Sequence, residues 1–178
     1  MKLVLKKSIL VPITLIALIC LTSLMYCSKY SVYGSNEHIK DYLIKKSYIN
    51  ENSLIQKQID IDNIKVVIFK FNDDSLQYTL FQRGLNGKYS FVHIASIKSQ
   101  TYKSFIERIH NNYYLISLGY NADDNSYINT TLSSAYEISK IRNESFNIKN
   151  EDYFIKYKVI SDQSTNDFAI SNYSLGNY

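Results

Sequence analysis

The chain has no tryptophan, one proline, two cysteines and five glycines among its 178 residues, and each scarcity removes a class of explanation. Both cysteines, Cys20 and Cys27, lie in or at the edge of one apolar stretch near the N-terminus. The rest of the chain therefore has no disulfide, no cysteine-ligated zinc and no cysteine nucleophile. Pro12 is the only proline, so the composition is neither collagen-like nor that of a Pro/Gly-rich disordered chain. Glycine is also too sparse for a phosphate cradle: Gly84 and Gly87 precede a strand-like run, where such a loop requires a helix. Charge of one sign is lacking as well. Lys2, Lys6, Lys7 and Lys29 account for the whole net charge of +4, and the chain beyond them is formally neutral. A phosphate-backbone partner normally demands a basic excess, so no nucleic acid is expected.

What is present begins with Ser8 to Tyr26, 19 residues without a charge. At about 1.5 Å per helical residue this reaches roughly the 30 Å of a hydrocarbon core. A signal-peptide core is usually shorter, about 7 to 15 residues, and ends at small residues, whereas this one exits through Leu24-Met25-Tyr26. Neither cysteine follows the small residue that lipidation needs, since Cys27 follows Tyr26 and Cys20 follows Ile19. Three lysines precede the span and only Lys29 closely follows it, which places the N-terminus in the cytoplasm. The expected layout is a cytoplasmic N-terminus at 1–7, a transmembrane anchor at 8–27, a linker at 28–35 and an extracytoplasmic β-rich domain at 36–178. A secreted protein with a cleaved signal peptide is the alternative.

Ser35 reads as an N-cap for a short helix from Asn36 to Lys46, with Glu37 in its first turn. After it the apolar period changes to two. Strands are expected at Ile55 to Ile61, Ile64 to Phe71, Leu76 to Arg83, Lys88 to Ile97, Tyr113 to Tyr120, Tyr127 to Leu132, Ala135 to Ile141, Ser145 to Ile148 and Tyr153 to Ile160. Asn86-Gly87 is the strongest hairpin signal and predicts a type I′ turn. Thr101 to Asn111 spaces Tyr102, Phe105, Ile106 and Ile109 at helical intervals, so a short helix or irregular crossover is expected there. The polar tail from Ser161 is expected to fray after Ile170, and Lys156 and Lys158 to blunt the edge of a last strand. The fold class that follows is mainly β, an antiparallel sandwich or partly closed barrel with one or two short helices, preceded by an N-terminal transmembrane helix.

The anchor, the strand IKVVIFKF, the segments GLNGKY and YYLISLGYN and the terminal EDYFIKYKV together resemble small single-pass extracytoplasmic proteins of Firmicutes without assigned function. The resemblance spans residues 60 to 160 and implies no activity or site. The abundance of Ile, Asn, Lys and Tyr is that of an AT-rich coding sequence, so a low-GC bacterium is the expected source.

No catalytic residue, cofactor or metal ligand can be selected. His38, His93 and His110 stand in no shared ligand pattern, and His93 lies in a strand beside Tyr89 and Phe91. Glu107 and His110 have a Glu-x-x-His spacing, but a carboxylate-bridged metal pair needs two such motifs. Asn121 to Tyr127 begins like a calcium loop and then departs from it, with Ser126 where glycine belongs and Leu132 where a bidentate Glu belongs. Asp73-Asp74 and Glu151-Asp152 are turn pairs whose side chains diverge. The 17 tyrosines suit either strand packing or a sugar- or protein-binding face. Two functions are therefore expected: a non-catalytic, membrane-tethered binding or accessory domain for a membrane protein or cell-wall polymer, or a cell-envelope hydrolase whose site is assembled from distant residues.

Overall fold

The computed structural model describes residues 4–71, 73–97, 102–134, 141–160 and 168–176. Within them the elements run α1 (Val4–Lys29), α2 (Asn36–Lys45), β1 (Leu54–Ile61), β2 (Ile64–Lys70), β3 (Leu76–Arg83), β4 (Tyr89–Ile97), β5 (Tyr102–Ile109), β6 (Asn112–Tyr120), β7 (Tyr127–Ser134), β8 (Ile141–Asn147), β9 (Tyr153–Val159) and β10 (Phe168–Gly176). Every strand pairing is antiparallel. A meander β1-β2-β3-β4 forms the first sheet, β5-β6-β9 the second and β10-β7-β8 the third. Among the described residues none closes on itself, which is consistent with the sandwich of the two expected architectures.

The layers follow from side-chain parity. On β2, Ile64, Val66 and Ile68 face the second sheet with Leu76, Tyr78 and Leu80 of β3, meeting Ile109, Tyr114, Ile116, Leu118 and Ile155. The alternate residues Val67, Phe69 and Phe81 face the other way and are covered by Ile39 and Leu43 of α2, with Val32 and Ile49. The second sheet is also covered on both faces, because Leu115 and Phe154 point into the third sheet toward Leu132, Ile128 and Ile148. The order is therefore helix, sheet, sheet, sheet. A strand buried on both faces has no solvent side, which is why IKVVIF and YYLISL carry apolar residues at both parities, interrupted by the buried Lys65 and Ser117 alone.

The same burial explains one correction. The segment expected to be a helix or crossover, Thr101 to Asn111, is strand β5 between Tyr102 and Ile109. Phe105 and Ile109 pack toward the first sheet, whereas Tyr102 and Ile106 pack toward the third. Apolar residues on both faces abolish the period of two and imitate a helical one. The C-terminal tail is a second correction: residues 168–176 form β10, paired along β7 with a register irregularity between Ile170 and Asn172, and do not fray after Ile170. The strand expected at Ala135 to Ile141 falls outside the described residues except for Ile141, which opens β8.

Helix α2 begins where expected, with Ser35 as N-cap accepting from the His38 backbone N–H. The hairpin at Gly84 to Gly87 is present, but its turn is not type I′. Gly87 alone of the two central candidates has positive φ, at 74°, and the Gly87 N–H donates to the Gly84 carbonyl at 3.1 Å. Gly84 N–H donates to the Lys88 carbonyl at 2.8 Å, so a three-residue loop closes the hairpin and Gly87 takes its left-handed position.

The segment between the helices is packed against the domain. Val32 pairs with Tyr89 at the margin of β4, exchanging two backbone hydrogen bonds of 3.1 and 2.7 Å, and is itself buried. Beneath it Lys65, almost fully buried, donates to Asp60 at 2.8 Å, and Tyr89 Oη donates to the same carboxylate at 2.9 Å. Burial, with the Asp60 hydrogen bond, pushes the Tyr89 phenol up to about 12.

Candidate functional site

Among the described residues one helix, α1, is long and apolar enough to cross a membrane, and none of the window Pro12–Lys29 is buried in the fold. Its end touches the domain. There Tyr26 Oη accepts from the Leu85 N–H at 2.5 Å, and the Tyr30 carbonyl accepts from Asn86 Nδ2 at 3.0 Å. The two rings lie 4.7 Å apart over Gly84. Glycine is required by this close approach: a Cβ at Gly84 would sit 2.6 Å from Tyr30 Cγ and 2.7 Å from Tyr26 Oη.

Against this clamp opens a cleft of about 490 Å³. Its walls are Tyr26 and Tyr30, Asp62 and Asn63 from the β1–β2 turn, Arg83, Gly84 and Leu85 from the β3–β4 turn, and His110 from the β5–β6 turn. Asp62 and His110 both have positive φ, as tight two-residue turns demand. Their side chains meet, with His110 Nδ1 2.9 Å from Asp62 Oδ2. The first two turns are tied by the Arg83 N–H, which donates to the Asn63 carbonyl at 2.6 Å. Among the described residues no carboxylate pairs with the exposed Arg83, and Asn63 Oδ1 is buried with no donor. Leu85, at the tip, is 98% exposed.

The other groups singled out in the sequence have structural surroundings. His38 Nδ1 lies 2.6 Å from Ser35 Oγ at the start of α2. His93 is half-buried, edge-on to Tyr78 at 5.7 Å, and burial together with the Lys103 charge pushes its pKa down. Glu107 is in β5, whereas His110 lies beyond the strand end, so their Glu-x-x-His spacing does not fall on a helix. Burial raises the Glu107 pKa. Asn121 turns its amide inward, accepting from the Asn125 N–H at 2.8 Å and donating to the Asn125 carbonyl at 2.9 Å. That organises a polar turn and spends the first oxygen of the calcium-like sequence. Among the described residues no cluster of three His, Cys, Asp or Glu side chains could hold a metal ion.

Glu151 joins Lys57, at 2.6 Å, and Lys156 across the seam between β1 and β9. Glu144, nearly fully buried, is held by Arg142 and by Lys158 at 2.6 Å. Lys156 and Lys158 thus lie on an edge strand, as expected, although β9 is followed by β10 and is not the last strand.

The cleft was not legible beforehand, because its residues come from four separate segments and each looks like ordinary turn or interface chemistry. The one available signal was the recurrence of Asp62-Asn63, Gly84-Gly87 and His110-Asn111 at every second break between strands. In an antiparallel meander, alternate turns share one end of the sheet. Comparison of the chain with protein families, with curated proteins and with solved structures found no match.

Proposed function

We propose that this is a membrane-tethered, extracytoplasmic binding domain, held by α1 with its N-terminus in the cytoplasm, that acts by recognition and not by catalysis. The observation that carries the reading is the contrast within α1. Large apolar side chains from Ile13 to Met25 stand clear of the fold, while Tyr26 at its end is fastened to the β3–β4 hairpin. An apolar surface of that extent needs a cover, and a bilayer supplies one without a protein partner. Lys2, Lys6 and Lys7 on the N-terminal side support the orientation. The clamp would hold the domain close to the bilayer in one attitude, which suits recognition of a membrane protein or of a wall polymer near the surface.

The hydrolase alternative has one observation in its favour, the Asp62–His110 pair facing a cleft. A carboxylate that orients an imidazole is half of a nucleophile-activating arrangement, but among the described residues the cleft walls offer no Ser, Thr or Cys to activate.

A C-terminal reporter should be cut by external protease in intact cells, and the mature protein should retain Cys27. A domain found free in the medium, beginning near residue 30, would overturn the tether. Replacing His38 and His93 together by Gln should leave the cellular phenotype nearly intact. Hydrolysis of isolated cell-wall material by the purified protein, lost in a stably folded His110→Gln variant, would establish the enzyme instead.

A further inference from the structure

We propose that the cleft between the end of α1 and the three hairpin turns binds the headgroup of an anionic phospholipid, with Arg83 holding the phosphate. The inference rests on the membrane-tethered reading above and adds a ligand to it.

Depth is the first argument. The uncharged stretch ends at Tyr26, and at about 1.5 Å per residue its far end lies roughly one hydrocarbon thickness away. Tyr26 and Tyr30 then lie in the outer headgroup layer, and the cleft they wall opens there. Leu85 agrees with this placement. Its N–H is bonded to Tyr26, so an almost fully exposed apolar tip is held at the depth where headgroups and first methylenes would cover it.

Charge is the second. Asp62 faces His110, which leaves Arg83 as the cation on the cleft wall without a carboxylate among the described residues. Its planar fork of donors matches two oxygens of a phosphodiester. Lys29, with Nζ 5.4 Å from the Tyr30 ring centroid, adds a second positive charge next to the clamp. Asn63 completes the wall beside Arg83. A volume of about 490 Å³ accommodates a glycerophosphoglycerol group.

The test uses the full chain purified in a neutral detergent, titrated with phosphatidylglycerol or phosphatidylcholine and read by native mass spectrometry. One phosphatidylglycerol should be retained in preference to phosphatidylcholine. Arg83→Gln, at an exposed position, should weaken retention about tenfold through the loss of one charge-assisted contact. Gly84→Ala, which must displace the Tyr26 and Tyr30 rings, should also reduce it while the melting temperature of the β domain stays near that of the parent. Equal retention of the two lipids, or an unchanged affinity in Arg83→Gln, would overturn the site. Displacement of the lipid by glycerol 3-phosphate at equal concentration would overturn the lipid as the source of the phosphate. Alkaline extraction of membranes separates the two levels of argument: release of the full chain defeats the tether itself, whereas retention without lipid preference defeats only the headgroup site.

Discussion

The two interfaces inside the sheet stack are built differently. Among the described residues, one continuous cluster of thirteen buried side chains, all aliphatic apart from Tyr78 and Tyr114, lies between the first and second sheets. Between the second and third sheets the described residues form two clusters of three, Leu115-Leu132-Ile160 and Ile128-Ile148-Phe154. Along β7 the positions Ile128, Thr130 and Leu132 alternate, so a polar group stands between those clusters. There Ser104 Oγ lies 2.8 Å from Ser117 Oγ and 3.1 Å from Thr130 Oγ1, all three buried. Glu144, with Arg142 and Lys158, adds a charged group beside this interface. The first interface is held by area removed from water, which is non-directional; the second depends on hydroxyls whose geometry fixes one register.

The largest effects should separate these two modes. Ile116→Ala, in the wide cluster where neighbours from both sheets prevent collapse, should cost about 4 kcal/mol. Leu132→Ala, in a cluster of three, should cost about 2 kcal/mol because its surroundings can relax. Denaturant titration of the full chain in detergent measures both, and equal costs would break the distinction.

Next in size comes the hydroxyl group. Ser104→Ala strands two buried hydroxyls and should cost about 2 kcal/mol. Replacing Ser104, Ser117 and Thr130 together by Ala, Ala and Val should cost less than three independent losses, since no orphan then remains. Strict additivity would show that the three do not act as a unit.

The same difference decided what could be read from the sequence. Strands β1 to β4 were legible within a residue or two, because β2 and β3 are bounded by Asp62-Asn63 and Asp73 to Ser75 and carry β-branched and aromatic residues. β5 was misread because both its faces are covered, and β10 because Asn172, Ser171 and Ser174 look like tail composition although a strand at the outer layer needs few apolar residues. The division into three sheets was not legible: every hairpin is local, but the return of β9 to β6 and of β10 to β7 is a non-local choice. The cleft shares that obscurity, since its residues are ordinary individually and are assembled by topology alone.

At the turns, a smaller effect sharpens the comparison between the sheets and the clamp beside them. Gly87 has φ of 74° with open space where a Cβ would stand, so strain there is purely of the backbone. Gly87→Val should cost about 1 kcal/mol or slightly more. Because no neighbour is displaced, the Tyr26 clamp should survive, and unchanged stability would reject the left-handed assignment.

The smallest effect distinguishes two carboxylates by the sign of their response to acid. Glu107 packs by the first interface, where burial raises its pKa above the ordinary glutamate value of 4.5. Burial also opposes ionisation of Glu151, but hydrogen bonds from Lys156 and Lys57 outweigh it and its pKa falls below 4.5. A raised carboxyl pKa means that the folded protein takes up its proton before the unfolded chain does. Stability from Glu107 is therefore gained as pH falls from neutrality toward 4.5. For Glu151 the unfolded chain binds the proton first, so its contribution is present above 4.5 and is lost as pH falls through the lower folded value. Glu107→Gln should raise the melting temperature slightly at pH 7 and remove the gain on acidification. Glu151→Gln should lower it at pH 7 by the equivalent of under about 1 kcal/mol, a difference that shrinks as pH falls below 4.5. Thermal melts of the two variants across that range check both signs: a destabilised Glu107→Gln at pH 7 would mean the carboxylate has a favourable partner in the fold. A Glu151→Gln deficit that does not shrink at all as pH falls below 4.5 would mean the loss is one of packing and not of charge.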